Sequence, residues 1–179
     1  MVEERSRELE LLGIQLEIPN VPFPELRFPK VYDILEEMGK EVEYGEDYDT
    51  ESEKLLWQYV RQEYGSDFFF VNRFPFKAKP FYVMKEDDMW ARSVDLLYKG
   101  LELSSGGQRE HRYEVLLSQI VEKGMNPKNL EWFTKFFAYG APPHGGFAVG
   151  IERLTMKMLN LQNIKEAALF PRDPERVLP

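Results

Sequence analysis

The sequence predicts an α+β fold in which an antiparallel β-sheet is flanked by helices. Aromatic and β-branched residues concentrate in short segments after residue 66, as is typical of strands. Segments of helical periodicity lie before and after them, so the chain does not follow a repeated βαβ order. Because the 179 residues contain no internal repeat or linker, we expect a single domain over 1–179. Residues 1–65 form its mainly helical lead-in, and residues 66–179 carry the sheet.

The lead-in contains three predicted helices. Residues 2–12 alternate charge and leucine, which predicts a short amphipathic helix before Gly13. The proline-rich stretch "LEIPNVPFPELRFPK" must be mostly extended. The next helix has an apolar face formed by Val31, Ile34, Leu35 and Met38. A third helix follows an acidic loop, with Asp49 or Thr50 as its N-cap and an inward face of Leu55, Leu56, Tyr59 and Val60.

The second part of the chain supplies the strands. The segments "DFFFVNRF", "FYVMK" and "SVDLLYKGLELSS" are predicted as strands of one antiparallel sheet. Helical periodicity returns in "HRYEVLLSQIVEKG" and "NPKNLEWFTKFFAYG", which end at Gly124 and Gly140. A last strand at 146–150 and a helix at about 151–160 complete the order.

Composition excludes several classes of protein. A hydrophobic content of 43% with 30% charged residues is typical of a globular chain, and no apolar run reaches the roughly 20 residues of a membrane span. The absence of cysteine excludes disulfides and thiolate sites, so a cytoplasmic location is the default expectation. The net charge of −8 argues against a broad nucleic-acid-binding surface.

Two stretches contain candidate functional residues. If "DLLYKGLELSSGGQRE" is one strand with a bulge at Gly100, then Asp95, Glu102 and Ser105 face one side. Oxygen ligands of this kind suit a hard cation such as Mg²⁺. Arg109 follows a Ser-Ser-Gly-Gly turn and is suited to a planar carboxylate.

The second stretch is "GGFAVGIERL", a strand that turns into a helix. Its arginine, Arg153, lies near the positive end of that helix, where the helix dipole does not stabilise a cation. A negatively charged ligand therefore explains the position of this guanidinium better than the dipole does.

Taken together, the wording and order of these stretches resemble one family. "SVDLLYKGLELSSGGQREHRYEVLL" and "FAYGAPPHGGFAVGIERLTMKMLNLQNIKEAALFPRDPERVLP" resemble the C-terminal half of the catalytic domain of class II aspartyl-tRNA synthetases of the archaeal and eukaryotic type. The resemblance extends upstream through "FFFVNRFPFKAKPFYVMKEDD" and the acidic "YGEDYDTESEKLL", and it covers nearly the whole chain from about residue 10 onward. It implies an antiparallel sheet flanked by helices, activation of aspartate with ATP, and transfer of aspartate to tRNA.

The resemblance also implies a role for individual residues. Arg153 matches the motif 3 arginine that binds ATP and acts in catalysis, while Gly146 and Gly150 let the backbone approach the nucleotide. The ATP-bound Mg²⁺ would be held by Asp95, Glu102 and Ser105, with Glu102 also contacting ATP. Arg109 matches the residue that grips the side-chain carboxylate of aspartate. Since Arg109 also occurs in the asparaginyl branch, it does not decide between aspartate and asparagine.

Family members carry further parts that have no counterpart in these 179 residues: an anticodon-binding domain, motif 1 and motif 2. The resemblance therefore predicts a truncated relative that does not aminoacylate tRNA alone, because loss of one transition-state charge partner costs about 10²–10³ in rate. We expect a homo-oligomer or a partner chain carrying motifs 1 and 2, no membrane contact, and tRNA binding only if the missing region is supplied. The alternatives are a ligand-binding or regulatory paralogue, or a relative of ammonia-dependent asparagine synthetase.

Overall fold

The computed structural model describes residues 2–178 and confirms an α+β fold with a sheet flanked by helices. The helices are α1 (Ser6–Leu11), α2 (Lys30–Glu37), α3 (Thr50–Tyr64), α4 (Tyr113–Glu122), α5 (Glu131–Ala138) and α6 (Ile151–Met158). The strands are β1 (Glu25–Arg27), β2 (Phe68–Asn72), β3 (Ser93–Tyr98), β4 (Glu102–Arg109) and β5 (His144–Val149). Short 3₁₀ turns occur at Phe76–Ala78, Pro127–Leu130 and Ile164–Ala167. None of the helices within residues 2–178 has the length and apolar character that crossing a membrane requires.

The five strands form one sheet in the order β1-β2-β3-β4-β5. All neighbouring strands are antiparallel except β1, which pairs parallel to β2. This strand lies in the proline-rich segment, where extended backbone is predicted but no alternation of apolar and polar residues indicates a strand. Its backbone pairing extends beyond the strand, since Phe70 N–H donates to the Pro24 carbonyl and Phe28 N–H to the Asn72 carbonyl.

The sequence predicts that "SVDLLYKGLELSS" is one strand with a bulge at Gly100. This prediction is wrong, because the segment forms a hairpin of β3 and β4. Lys99 and Gly100 have φ values of 48° and 67°, and this left-handed backbone reverses the chain between β3 and β4. A bulge does occur, but it lies within β4. Leu96 pairs with Ser104 and Leu97 with Glu102, so Leu103 is the extra residue.

The segment "FYVMK" is also not a strand. It makes only isolated bridges, between Val83 and Arg109 and between Lys85 and Ala91. The buried amide of Gln119 on α4 donates to the carbonyl oxygens of Phe81 and Val83. A side chain therefore satisfies carbonyl groups in this segment that a neighbouring strand would otherwise have paired.

The core lies between the sheet and helices α2 and α3. Asp49 is the N-cap of α3 and accepts a hydrogen bond from the Ser52 N–H, as the sequence predicts. Residues that are fully buried in this core include Phe28, Val31, Leu35, Leu56, Val60, Phe69, Val71 and Leu97. Alternate residues of the strands face the opposite side of the sheet, where Phe70, Val94 and Leu96 remain partly exposed.

Candidate functional site

Strands β3 and β4 bring the first two candidate residues into direct contact. Asp95 and Ser105 are cross-strand partners, and the Ser105 hydroxyl donates to Asp95 Oδ1 over 2.6 Å. The other carboxylate oxygen, Oδ2, lies 2.8 Å from the ammonium of Lys79. Asp95 is only 4% exposed, so its charge is buried and balanced by Lys79.

The bulge in β4 brings Glu102 to the N-terminus of α6. Arg153 donates from Nη1 to the Glu102 carbonyl at 2.8 Å and lies 3.4 Å from its Oε1. The Gly150 N–H donates to the carbonyl of Leu103 over 2.7 Å. The helix that carries Arg153 is therefore tied to the bulge by two hydrogen bonds, while about 44% of the Arg153 side chain remains exposed.

Arg109 lies at the end of β4, and its guanidinium carbon is 5.7 Å from the centre of the Tyr82 ring. Among residues 2–178 no carboxylate neutralises this guanidinium. Gly146 lies beside it on β5, and a Cβ there would be 3.1 Å from Arg109 Nη2. Arg109 is therefore a free cation on the same sheet as Asp95 and Ser105, but it contacts neither of them.

The two predicted glycines leave space for the two arginines. A Cβ at Gly150 would lie 3.3 Å from Arg153 Cδ. In the same way, a Cβ at Gly146 would be close to the guanidinium of Arg109. The sequence predicts that these glycines let a nucleotide approach the backbone. The structure adds a second physical reason for them, because each one determines how close an arginine can lie to the strand.

The structure adds four residues to the site that the sequence analysis did not name as candidates. They are Asp47 and Tyr48 from the loop before α3, Glu53 from α3, and Lys79. Burial and then the neighbouring Glu102 raise the pKa of Glu53 to about 7. Burial likewise raises the pKa of Asp47. It also raises the pKa of the Tyr48 hydroxyl well above its ordinary value. The negative charge of Asp95 raises both pKa values further.

The resemblance extends through the acidic stretch "YGEDYDTESEKLL", but neither the resemblance nor the composition assigns a role to these loop residues or shows where the loop packs. Lys79 lies in a stretch that the resemblance covers, but no local pattern distinguishes it, since an isolated lysine between turns is usually a surface residue. These residues belong to the site because α3 and the 73–80 loop pack over β3 and β4. Tertiary packing of this kind has no local sequence pattern.

The arrangement combines fixed cations with oxygen ligands. Arg109 and Arg153 supply positive charge for an anionic ligand, and Glu102 and Ser105 supply oxygen atoms of the kind that Mg²⁺ binds. Within the described residues, 2–178, no three His, Asp or Glu side chains are grouped to hold a metal by themselves. This donor set fits Mg²⁺, because that ion keeps several waters and is usually bound by one or two carboxylates together with substrate phosphates.

The comparisons with known proteins give the class of this fold and site. The family model described as "tRNA synthetases class II (D, K and N)" matches residues 1–174. The chain therefore belongs to the class II tRNA synthetases. Its similar relatives include the aspartate–tRNA(Asp) ligase of Pyrococcus furiosus, at 53% identity over 179 residues, and the aspartate–tRNA(Asp/Asn) ligase of Thermus thermophilus, at 47% over 175.

The match covers a part of these relatives. The aligned region is 99% of this chain and 41% of the Pyrococcus furiosus protein, and 96% and 40% for the Thermus thermophilus protein. The chain thus spans about 41% of the length of the curated relatives that it matches, as expected of a partial catalytic domain.

Solved structures give the same fold. The aspartyl-tRNA synthetase of Entamoeba histolytica has a TM-score of 0.87 at 34% identity, over 92% of this chain and 35% of that one. The asparaginyl-tRNA synthetase of Pyrococcus horikoshii has a TM-score of 0.86 at 35% identity, over 99% and 43%. Because both specificities share this fold, the fold alone does not choose between aspartate and asparagine.

Proposed function

We propose that this chain supplies the ATP·Mg²⁺ and aspartate half-site for the formation of aspartyl-adenylate, the first step in ligating aspartate to tRNA. The observation that carries the proposal is the position of two arginines, Arg109 on β4 and Arg153 on α6, around the Asp95–Ser105 pair and Glu102. Arg153 is fixed against the bulge at Glu102, and Arg109 lies beside Gly146 without a carboxylate partner among residues 2–178.

The residues divide between the two substrates. Arg109 would bind the side-chain carboxylate of aspartate through two parallel hydrogen bonds, which its free planar guanidinium permits. Arg153 would bind the ATP phosphates, and its hydrogen bond to the Glu102 carbonyl fixes its orientation beforehand. Activation of a carboxylate in this way depends on orientation and charge neutralisation, which fixed side chains of this kind provide.

The acidic side chains would hold the magnesium ion that accompanies ATP. Glu102 would be the principal ligand, with Ser105 and Asp95 beside it. When bound, the ion neutralises phosphate charge. Asp95 also keeps Lys79 and the Ser105 hydroxyl in place through hydrogen bonds of 2.8 and 2.6 Å, so its contribution includes positioning its neighbours.

The complete reaction requires more than these residues supply. In this proposal the remaining portion of the synthetase, with motifs 1 and 2, is provided by a partner chain, and tRNA binds only in the resulting assembly. The relatives are more than twice as long as the region that matches this chain. The two predicted alternatives, a regulatory paralogue and an asparagine-synthetase-like enzyme, have no observation in the structure that favours them.

The proposal is tested by calorimetric titration of the purified chain with a non-hydrolysable aspartyl-adenylate analogue in the presence of Mg²⁺. We expect binding that Arg109→Ala and Arg153→Ala each weaken by about tenfold or more, since a charge-assisted hydrogen bond contributes about 1.5–3 kcal/mol. Arg61→Ala is the matched control. That arginine lies on α3 and pairs with Glu17 and Asp67 instead of the site residues.

Binding that survives both site substitutions would contradict the assignment of the two arginines. Absence of binding by the wild-type chain would contradict the half-site itself and leave only the fold in common with the family.

A further inference from the structure

We propose that Gln119 on α4 is a positioning residue for Arg109, the arginine assigned to the side-chain carboxylate of aspartate. It acts through residues 81–84, a segment that lies between α4 and the end of β4. The inference rests on the proposed function for its ligand. The contacts between α4, this segment and β4 do not depend on that function and are tested separately below.

The segment binds the backbone of β4 on both sides of Arg109. On one side, the Met84 N–H donates to the Gln108 carbonyl over 2.9 Å. On the other side, the Glu110 N–H donates to the Tyr82 carbonyl over 2.8 Å. The ring of Tyr82 also lies beside the guanidinium, with its centre 5.7 Å from the guanidinium carbon. The segment therefore restrains both the backbone and the side chain of this arginine.

One side chain of α4 binds the opposite edge of the segment. Nε2 of Gln119 donates to the carbonyl oxygens of Phe81 and Val83. These two carbonyls therefore face α4, while the polar groups of Tyr82 and Met84 pair with β4. A buried carbonyl that loses its donor pays a desolvation cost, which it recovers by turning towards water. Loss of the Gln119 amide should therefore move the segment away from α4 and disturb its pairing with β4.

A short, well-bonded corner fixes α4 relative to Arg109. Only residues 110–112 lie between the end of β4 at Arg109 and the start of α4 at Tyr113. The carboxylate of Glu110 is fully buried and accepts hydrogen bonds from the N–H and the guanidinium of Arg112, the N-cap residue of α4. The helix that carries Gln119 therefore has a defined position next to the arginine, and the segment lies between two fixed elements.

The unpaired oxygen of Gln119 indicates that its donors explain this residue. The side chain is only 1% exposed, and Oε1 is buried without a hydrogen-bond partner among residues 2–178. A buried polar atom without a partner costs free energy, so an apolar side chain of the same size would fill this place better if packing were the only requirement. The amide nitrogen has two donor hydrogens, which is the number that the Phe81 and Val83 carbonyls need.

The first test measures the contacts without any ligand. Amide hydrogen exchange of Met84 and Glu110 is compared by NMR in the wild type and in Gln119→Met, which keeps the shape of the side chain and removes its donors. Both amides should exchange at least about tenfold faster in the variant, because the two hydrogen bonds that hold the segment are lost. Lys123→Met is the matched control, since Lys123 donates from the same helix to carbonyls of the turn at Phe76–Ala78 instead.

The second test measures what the contacts do for Arg109. The non-hydrolysable aspartyl-adenylate analogue and a non-hydrolysable ATP analogue are each titrated with Mg²⁺ into the wild type and Gln119→Met. We expect the variant to bind the aspartyl-adenylate analogue about tenfold more weakly. Binding of the ATP analogue should change by less than about twofold, because Arg153 is oriented by Glu102 and not by the segment.

A second control separates positioning from stability. Ile120→Ala removes a fully buried side chain from the same helix without removing a donor, so it lowers stability by leaving a cavity. This variant should bind both analogues as the wild type does. A role for Gln119 in stability alone would instead weaken both analogues equally in Gln119→Met and in Ile120→Ala.

The outcomes are distinguishable. Unchanged exchange of Met84 and Glu110 in Gln119→Met overturns the inference, and so does equal weakening of the two analogues, since general loss of stability would then be the cause. If the wild type binds neither analogue while both amides respond as expected, the contact that positions Arg109 stands and the proposed function fails.

Discussion

Asp95 and Lys79 form the most deeply buried ion pair of the candidate site. Their side chains are only 5% and 11% exposed, and the Lys79 ammonium also lies 3.6 Å above the ring of Phe74. Ser105 satisfies the second oxygen of the carboxylate. A buried charge is tolerated only when it is paired, so the fold needs Lys79 to neutralise the carboxylate of Asp95.

This pairing predicts the effect of Lys79→Met, which keeps the apolar stem of the side chain and removes its charge. The uncompensated Asp95 carboxylate should lower the free energy of unfolding by about 3 kcal/mol in urea denaturation. Lys77→Met is the control, because Lys77 pairs with Glu46 at the surface, where such pairs contribute about 0–1 kcal/mol. Equal losses in both variants would show that Asp95 does not depend on Lys79.

At the scale of elements, local signals predict helices and regular strands well. The apolar spacing of α2 and α3, the Asp49 cap and the aromatic strand β2 are all confirmed. The two incorrect strand predictions have a physical cause. Apolar residues lie on both sides of Lys99 and Gly100, although the left-handed backbone of these two residues turns the chain. The "FYVMK" segment has strand composition, but the side chain of Gln119 binds its carbonyl groups.

The candidate site shows the same contrast between residues that the sequence indicates and residues that only tertiary packing brings together. The resemblance indicated Asp95, Ser105, Glu102 and Arg153, and the structure brings them together as two contacting pairs. Neither the resemblance nor the local sequence pattern assigns a role to Glu53 or Lys79, because their role depends on how α3 and the 73–80 loop pack against the sheet. Glu53 lies 49 positions from Glu102 in the sequence, and nothing local connects them.

The N-cap of α3 leads to a prediction about pH. Hydrogen bonds from the Ser52 N–H and Lys40 hold the pKa of Asp49 below its usual range. A depressed carboxyl pKa contributes stability above the ordinary pKa, and this contribution is lost as pH falls towards the folded-state value. Asp49→Ala should therefore lower the melting temperature at pH 7, and its difference from the wild type should shrink below about pH 4.

The measurement is thermal unfolding of the wild type, Asp49→Ala and Asp49→Asn between pH 7 and pH 3. Asparagine is also a good N-cap, so Asp49→Asn should retain most of the stability at pH 7 and show a weaker dependence on pH. A constant gap between the wild type and Asp49→Ala across this range would contradict the role of the ionised carboxylate.

At the scale of the whole molecule, the sheet has two unlike faces. One face packs against α2 and α3. The other presents a depression of about 390 Å³ lined mainly by apolar residues, among them Phe70, Val94, Leu96, Phe147 and Val149. Strand β5 forms the outer edge of the sheet beside this depression. An apolar face next to an unprotected strand edge promotes association between chains.

We therefore expect the purified chain to self-associate through this face. Phe147, which is 76% exposed on β5, is the most direct probe. Multi-angle light scattering should show a mass above 21.1 kDa that rises with concentration, and Phe147→Asp should return it towards the monomer, because a charge at this position must be desolvated on contact. Ile18→Asp is the control, since Ile18 is equally exposed, at 75%, and does not line the depression. A monomeric wild type at high concentration would contradict the prediction. Loss of association in both variants would contradict its location, since the general rise in negative charge would then be the cause.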